Sequence, residues 1–171
     1  MIIKLIGMTF IMFSSVLLGN GFAECMASRE RELDNVADAV AFMAGELGYT
    51  HLCMRDIIMR VTPYVKGVAG EFFECVCTNI QKGETASYAW ENAISEKAVA
   101  MSLKKEDVEY IAGTSHFLEA HELDEQIGCL KIMENRIREL AVRAGDAKRK
   151  NSRMARMLGV YGGILFCILV F

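Results

Sequence analysis

The sequence predicts an all-α protein: a cytoplasmic helical bundle of about five to six helices, flanked by an N-terminal and a C-terminal transmembrane helix. Three observations lead there. Residues 5–23 and residues 157–171 carry no charged side chain. Between them, apolar residues return every three or four positions, and alternation of period two is scarce. A single proline, Pro63, stands in the whole chain, so little opposes continuous helix.

As a helix, the first run spans roughly 28 Å, close to the hydrocarbon thickness of a bilayer. The second reaches roughly 27 Å once Met154 and Ala155 join it and Arg156 bends back to the interface. The expected domains are therefore a span over residues 5–23, a helical domain over 24–153, and a second span over 154–171. A cleaved signal peptide competes for the first run, with Lys4 as its cationic start and Gly21-Phe22-Ala23 before the cut. Its apolar length and the presence of a second run favour an anchor.

Charge orients the chain. Residues 24–142 hold twenty-one acids against twelve bases, whereas 143–156 hold one acid against six bases. The cluster Lys148, Arg149, Lys150, Arg153 and Arg156 precedes the second run, and basic flanks of a span stay on the cytoplasmic side. The middle domain is thus expected in the cytoplasm. Bases placed at headgroup level, on an otherwise acidic body, argue against nucleic acid as a partner and for the lipid bilayer.

The elements follow in order. Leu33, Val36, Ala37, Val40, Ala44 and Leu47 mark one face of a helix ending near Gly48. A short helix over 52–60 should stop at the approach to Pro63. Val65, Val68, Ala69, Phe72, Val76 and Ile80 mark a third, closed by Gly83. Thr85 caps a fourth, whose face is Ala86, Ala89, Trp90 and Ala93. Val108, Ile111, Ala112, Ser115 and Leu118 mark a fifth. Leu130, Met133, Ile137, Leu140 and Ala144 form a seam of alternating three and four steps on a long last helix, which runs into the membrane and is loosened at Gly145.

Catalytic patterns are missing. There is no G-x-x-x-x-G-K-[ST] loop, and His51, His116 and His121 form no H-E-x-x-H. Cys75 and Cys77 lie roughly 200° apart on a helix and cannot share one ion. The expectation is a non-enzyme with no cofactor, no metal and no catalytic residue. Gly159 and Gly163 make a G-x-x-x-G pair in the second apolar run, with Ser15 and Gly19 a weaker match in the first. Small residues at that spacing let helices pack closely in a bilayer, which also allows a homo-oligomer.

Several short motifs point to a family. Lys150-Asn151, Met154, Leu158-Gly159 and Gly163 match K-N-x-x-M-x-x-S-L-G-x-x-x-G, with Met157 in place of the serine. Ala89-Trp90-Glu91, Ser102-Leu103-Lys104-Lys105 with acids following, Gln126, Arg29-x-Arg31-x-Leu33 and Glu46-Leu47-x-Tyr49 add to it. On these the chain resembles the stage III sporulation protein AB family of endospore-forming bacteria over essentially its whole length. It departs at Glu30, Leu52-Cys53-Met54 and Glu119. The resemblance implies a membrane component of the mother-cell-to-forespore channel apparatus, similar to the F-type platform protein of type II secretion. It further implies a location in the mother-cell or outer forespore membrane, and a cytoplasmic partner, a stage III sporulation protein AA-like ATPase. A membrane-anchored helical receptor or regulator is the alternative. For the docking contact the candidates are Tyr49 and Glu46, then Arg29 and Arg31, since Tyr and Arg dominate binding hot spots. Trp90, on an apolar helical face, is expected in the core, and the core is also open to Tyr49.

Overall fold

The computed structural model describes the backbone of residues 2–119 and 122–170. It describes the side chains of Ser14, Gly21, Glu24, residues 27–119 and residues 122–150. Among these residues there are six α-helices and no strand: α1 (Ile2–Thr50), α2 (Met54–Val61), α3 (Gly67–Gln81), α4 (Ala86–Lys97), α5 (Lys105–Gly113) and α6 (Leu123–Val170). Two 3₁₀ turns, Thr62–Tyr64 and Ser115–Glu119, complete the elements.

The chain divides into two compact units, Arg29–Val142 and the segments up to Ser28 and from Arg143 onward. The second unit consists of the outer parts of α1 and α6. Among the described residues no helix is long and apolar enough to cross a membrane. The expected spans, 5–23 and 154–171, fall largely on side chains outside the described residues, as do Ser15, Gly19, Gly159 and Gly163.

Within Arg29–Val142 the bundle is built on the faces that the periodicity marks. Leu33, Val36, Ala37, Val40, Ala44 and Leu47 of α1 are buried, and so is the α6 seam from Leu130 to Leu140; Ala144, in the other unit, is buried too. α3 packs on α4, and α4 packs on α5 and on the second 3₁₀ turn. At the centre, Trp90 meets Phe72 and Phe73 edge-on at 4.7 and 5.5 Å between ring centres. Its indole Nε1–H donates to the Ile111 carbonyl at 2.9 Å, so the ring is buried without stranding its donor. Trp90 is a core residue, as expected.

Thr85 caps α4 by accepting the Tyr88 N–H at 3.3 Å, and Gly83 closes α3 with φ +100. Other expectations change. α1 continues past Gly48 to Thr50, where His51 takes a left-handed φ of 53. Pro63 does not merely stop α2; it opens a 3₁₀ turn, where a missing N–H is harmless. Val65 therefore follows that turn as its extended C-cap, and α3 begins at Gly67. The fifth helix ends at Gly113, and Ser115 and Leu118 are buried from the 3₁₀ turn instead. α6 stays helical through Gly145.

Polar groups inside the bundle are all paired: no buried side-chain N or O lacks a partner among the described residues. Arg29 is 7% exposed and Asp107 is fully buried. They form a two-pronged pair, Nε to Oδ2 at 2.7 Å and Nη2 to Oδ1 at 2.8 Å. Asp107 Oδ2 also accepts the Lys104 N–H at 2.9 Å and so caps its own helix.

Arg29→Met should therefore lower unfolding stability by about 3–5 kcal/mol, because it leaves a buried carboxylate without its counter-charge. Arg29→Met combined with Asp107→Leu should recover part of that loss. Urea unfolding of the full chain measures both, and an unchanged midpoint in Arg29→Met would show the pair to be idle.

Candidate docking surface

One face of α1 turns away from the core. Along it Arg31, Asp34, Asp38, Phe42, Gly45 and Tyr49 are exposed, separated by steps of three and four residues. Tyr49 is 91% exposed. Arg31 makes no ion pair among the described residues. Glu46 flanks the stripe and is held by Arg60 at 3.2 Å. Three of the four docking candidates thus share one side of one helix. Arg29 differs: its guanidinium points into the fold and is taken up by Asp107, so it is not offered to a partner.

Beside the stripe lies a cleft of about 390 Å³, lined by Asn35, Asp38 and Phe42 on α1 and by Tyr64, Val65 and Lys66 beyond, with Ala39 and Val61 below. Its outer wall is set by how α3 begins. Glu32, buried on α1, accepts the Ala69 N–H at 2.8 Å and so caps α3 from another helix. One turn away, Asn35 Nδ2 donates to the Lys66 carbonyl at 3.1 Å. Two glycines make the approach possible. Gly67 has φ +70, and a Cβ there would sit 2.8 Å from Glu32 Oε1. A Cβ on Gly70 would sit 2.7 Å from the Val65 carbonyl oxygen. The turn is thereby held against α1, and the Tyr64 ring comes within 5.7 Å of Phe42, centre to centre.

The electrostatics are uneven along the stripe. Asp38 is bound by Arg138 of α6 at 2.9 Å, and Arg138 also holds Glu134 at 2.9 Å. Partial desolvation raises the proton affinity of the largely exposed Asp34 carboxyl above the ordinary aspartate value, and Glu30 and Asp38 raise it further against the opposing pull of Arg138. Gly45 is the other anomaly. A Cβ added there would meet nothing within 4 Å, so packing does not demand glycine in this exposed helical position. Glycine inside a helix is less favourable than alanine by about 0.8–1 kcal/mol.

Phe42, Tyr64, Asp34 and Gly45 are absent from the sequence-based candidates. Phe42 had a signal, for it is a large aromatic out of phase with the Leu33–Leu47 face. Tyr64 had none, because only the α3 cap brings it to α1. No group of His, Cys, Asp and Glu arranged for a metal ion occurs among the described residues. The described cysteines, Cys53, Cys75, Cys77 and Cys129, are free thiols.

A raised carboxyl means that the fold favours protonated Asp34, so ionising it subtracts stability as pH rises through that pKa. Asp34→Asn should consequently unfold at a higher temperature than wild type at pH 7. The gap should close as pH falls toward 3.8, the ordinary aspartate value. A gap independent of pH would assign the effect to something other than charge.

Comparison with known proteins adds a lineage. The family model described as stage III sporulation protein AB matches residues 4–171. Stage III sporulation protein AB of Bacillus subtilis (strain 168) is 23% identical over 169 residues, covering 98% of this chain and 99% of that one. A solved structure of stage III sporulation protein AB (SpoIIIAB) superposes with a TM-score of 0.65 at 19% identity, covering 72% of this chain and 98% of the solved one. At that identity the likeness speaks for the fold.

Proposed function

Because the chain belongs to the stage III sporulation protein AB family, we propose that it is a membrane-anchored, non-enzymatic assembly component of the channel apparatus between mother cell and forespore. Its helical domain faces the cytoplasm and docks a secretion-type ATPase resembling stage III sporulation protein AA. The anchors are the uncharged runs 5–23 and 154–171, with Gly159 and Gly163 as the closest-packing positions of the second and Ser15 and Gly19 of the first. The observation that carries the docking role is the exposed stripe on α1, with Arg31 near one end and, several turns on, the Tyr49 ring beside Glu46. Aromatic and arginine side chains of this kind supply most of the binding energy in protein interfaces.

The cleft keeps a second reading in play, a membrane-anchored receptor, since its volume falls within the range of small-ligand sites. Two of its polar groups are already engaged, Asp38 with Arg138 and Asn35 with the Lys66 carbonyl, which leaves few to orient a small molecule. Docking is the better fit.

The direct measurement uses the full chain in detergent or nanodiscs with the purified ATPase. Tyr49→Ala and Arg31→Ala should each weaken binding by about fivefold or more while leaving the thermal midpoint in place. Arg29→Ala should instead lower the midpoint. A folded wild-type chain that neither binds the ATPase nor alters its ATP turnover would end the docking role.

Orientation has its own check. A thiol reagent that does not cross membranes should leave a cysteine at Ser95 unlabelled in intact cells of a strain lacking the other cysteines, and label it after lysis. Labelling before lysis would put the domain on the outer side.

A further inference from the structure

The cleft and the stripe converge on one place that the docking residues above leave unused. Phe42 and Tyr64 form an open aromatic wall, both rings exposed, over the apolar floor of Ala39 and Val61. One turn further along α1, Gly45 presents bare backbone to solvent, although a side chain there would meet nothing. A helix glycine that the fold does not require, set beside a large aromatic, is a surface on which a second helix approaches closely, its ridge settling into the groove. On the other side of Phe42, Asp34 and Asp38 place two carboxylates one turn apart. Lys66 stands on the far rim.

We propose that the Phe42–Tyr64 cleft together with Gly45 is a groove for one helix of a partner protein, which sets a large apolar side chain in the cleft and a lysine or arginine against Asp34 and Asp38. It rests on the docking role proposed above and states the chemistry of the segment that docks. The charge pattern selects this occupant. Asp34 lies beside like charges, Glu30 and Asp38, and the nearby Arg138 is already shared between Asp38 and Glu134. An incoming cation relieves that repulsion, and an incoming acid increases it. Lys66 favours an acid on the opposite flank, so the docked helix is also polarised across its width. A second copy of this chain is the rival occupant.

The test is photo-crosslinking of the full chain in sporulating cells, with p-benzoylphenylalanine in place of Tyr64, followed by sequencing of the captured peptide. A synthetic peptide of that sequence is then titrated against the full chain in nanodiscs. The expected capture is a helical segment of another protein with apolar residues three or four apart and a lysine or arginine within one turn of them. Gly45→Trp and Asp34→Lys should each weaken that peptide by about tenfold and Gly45→Ala by a smaller factor, while all three keep the wild-type fold by circular dichroism. Capture of an acidic segment, capture of this chain itself, no capture, or unchanged affinity in Gly45→Trp each overturns the groove. The docking role fails separately. If the ATPase binds and Tyr49→Ala weakens it while Gly45→Trp does not, the groove falls and the role stands. If the ATPase never binds yet the basic segment is captured from another protein, the role falls and the groove stands.

Discussion

Two buried charges on α1, Arg29 and Glu32, hold the first turns of two other helices. Arg29 neutralises Asp107, which in turn caps α5. Glu32 reaches across to the Ala69 N–H and caps α3 directly. Both side chains lie less than a turn apart, and each serves a helix N-terminus whose unpaired donors need an acceptor: Glu32 is that acceptor at α3, and Arg29 holds the acceptor Asp107 at α5. A buried ion pair adds little net stability when set against apolar packing, but leaving one partner alone is costly. The pair therefore fixes where α5 must begin more than it strengthens the fold, and Glu32 does the same for α3. Misplaced helix starts would strand a charge.

That constraint shapes the outer surface. With α3 fixed at Ala69 and Asn35 tied to the Lys66 carbonyl, the intervening turn has one place to go, beside Phe42. Tyr64 then stands against Phe42, and a cleft opens on a helix whose other face is core. The same helix thus carries structural charges inward and aromatic and acidic groups outward. A binding surface on a rigid element, braced by satisfied buried polar groups, loses little order when a partner docks.

Four of the residues on which the family resemblance rests, Trp90, Glu91, Lys104 and Gln126, are fold residues. Trp90 bonds the Ile111 carbonyl, Glu91 is bound by the Ser115 hydroxyl, and Gln126 donates to the Leu118 carbonyl at 2.7 Å. Lys104 supplies the N–H that Asp107 caps. These bonds tie α4, α5, the second 3₁₀ turn and the start of α6 together. Of the other motif residues, Arg31, Glu46 and Tyr49 lie on or beside the exposed stripe of α1, whereas Phe42 and Tyr64, which wall the cleft, lie outside the motifs.

The sequence by itself determined the helices and their inner faces. A spacing of three and four residues is a property of one segment, and every position it marked on α1 and α6 is buried. Thr85 and Gly83 were legible for the same reason, since a cap and a left-handed turn depend on neighbours in the chain. Only the tertiary structure decided the fate of Arg29. Its partner lies 78 residues away, and nothing near Arg29 announces that a cation there will be buried. Glu32 and Ala69 are 37 apart, and Phe42 meets Tyr64 only because that distant cap closes. Local pattern tells which face of a helix avoids water; it does not tell which distant charge or ring will arrive to meet it, because that depends on how the other helices begin.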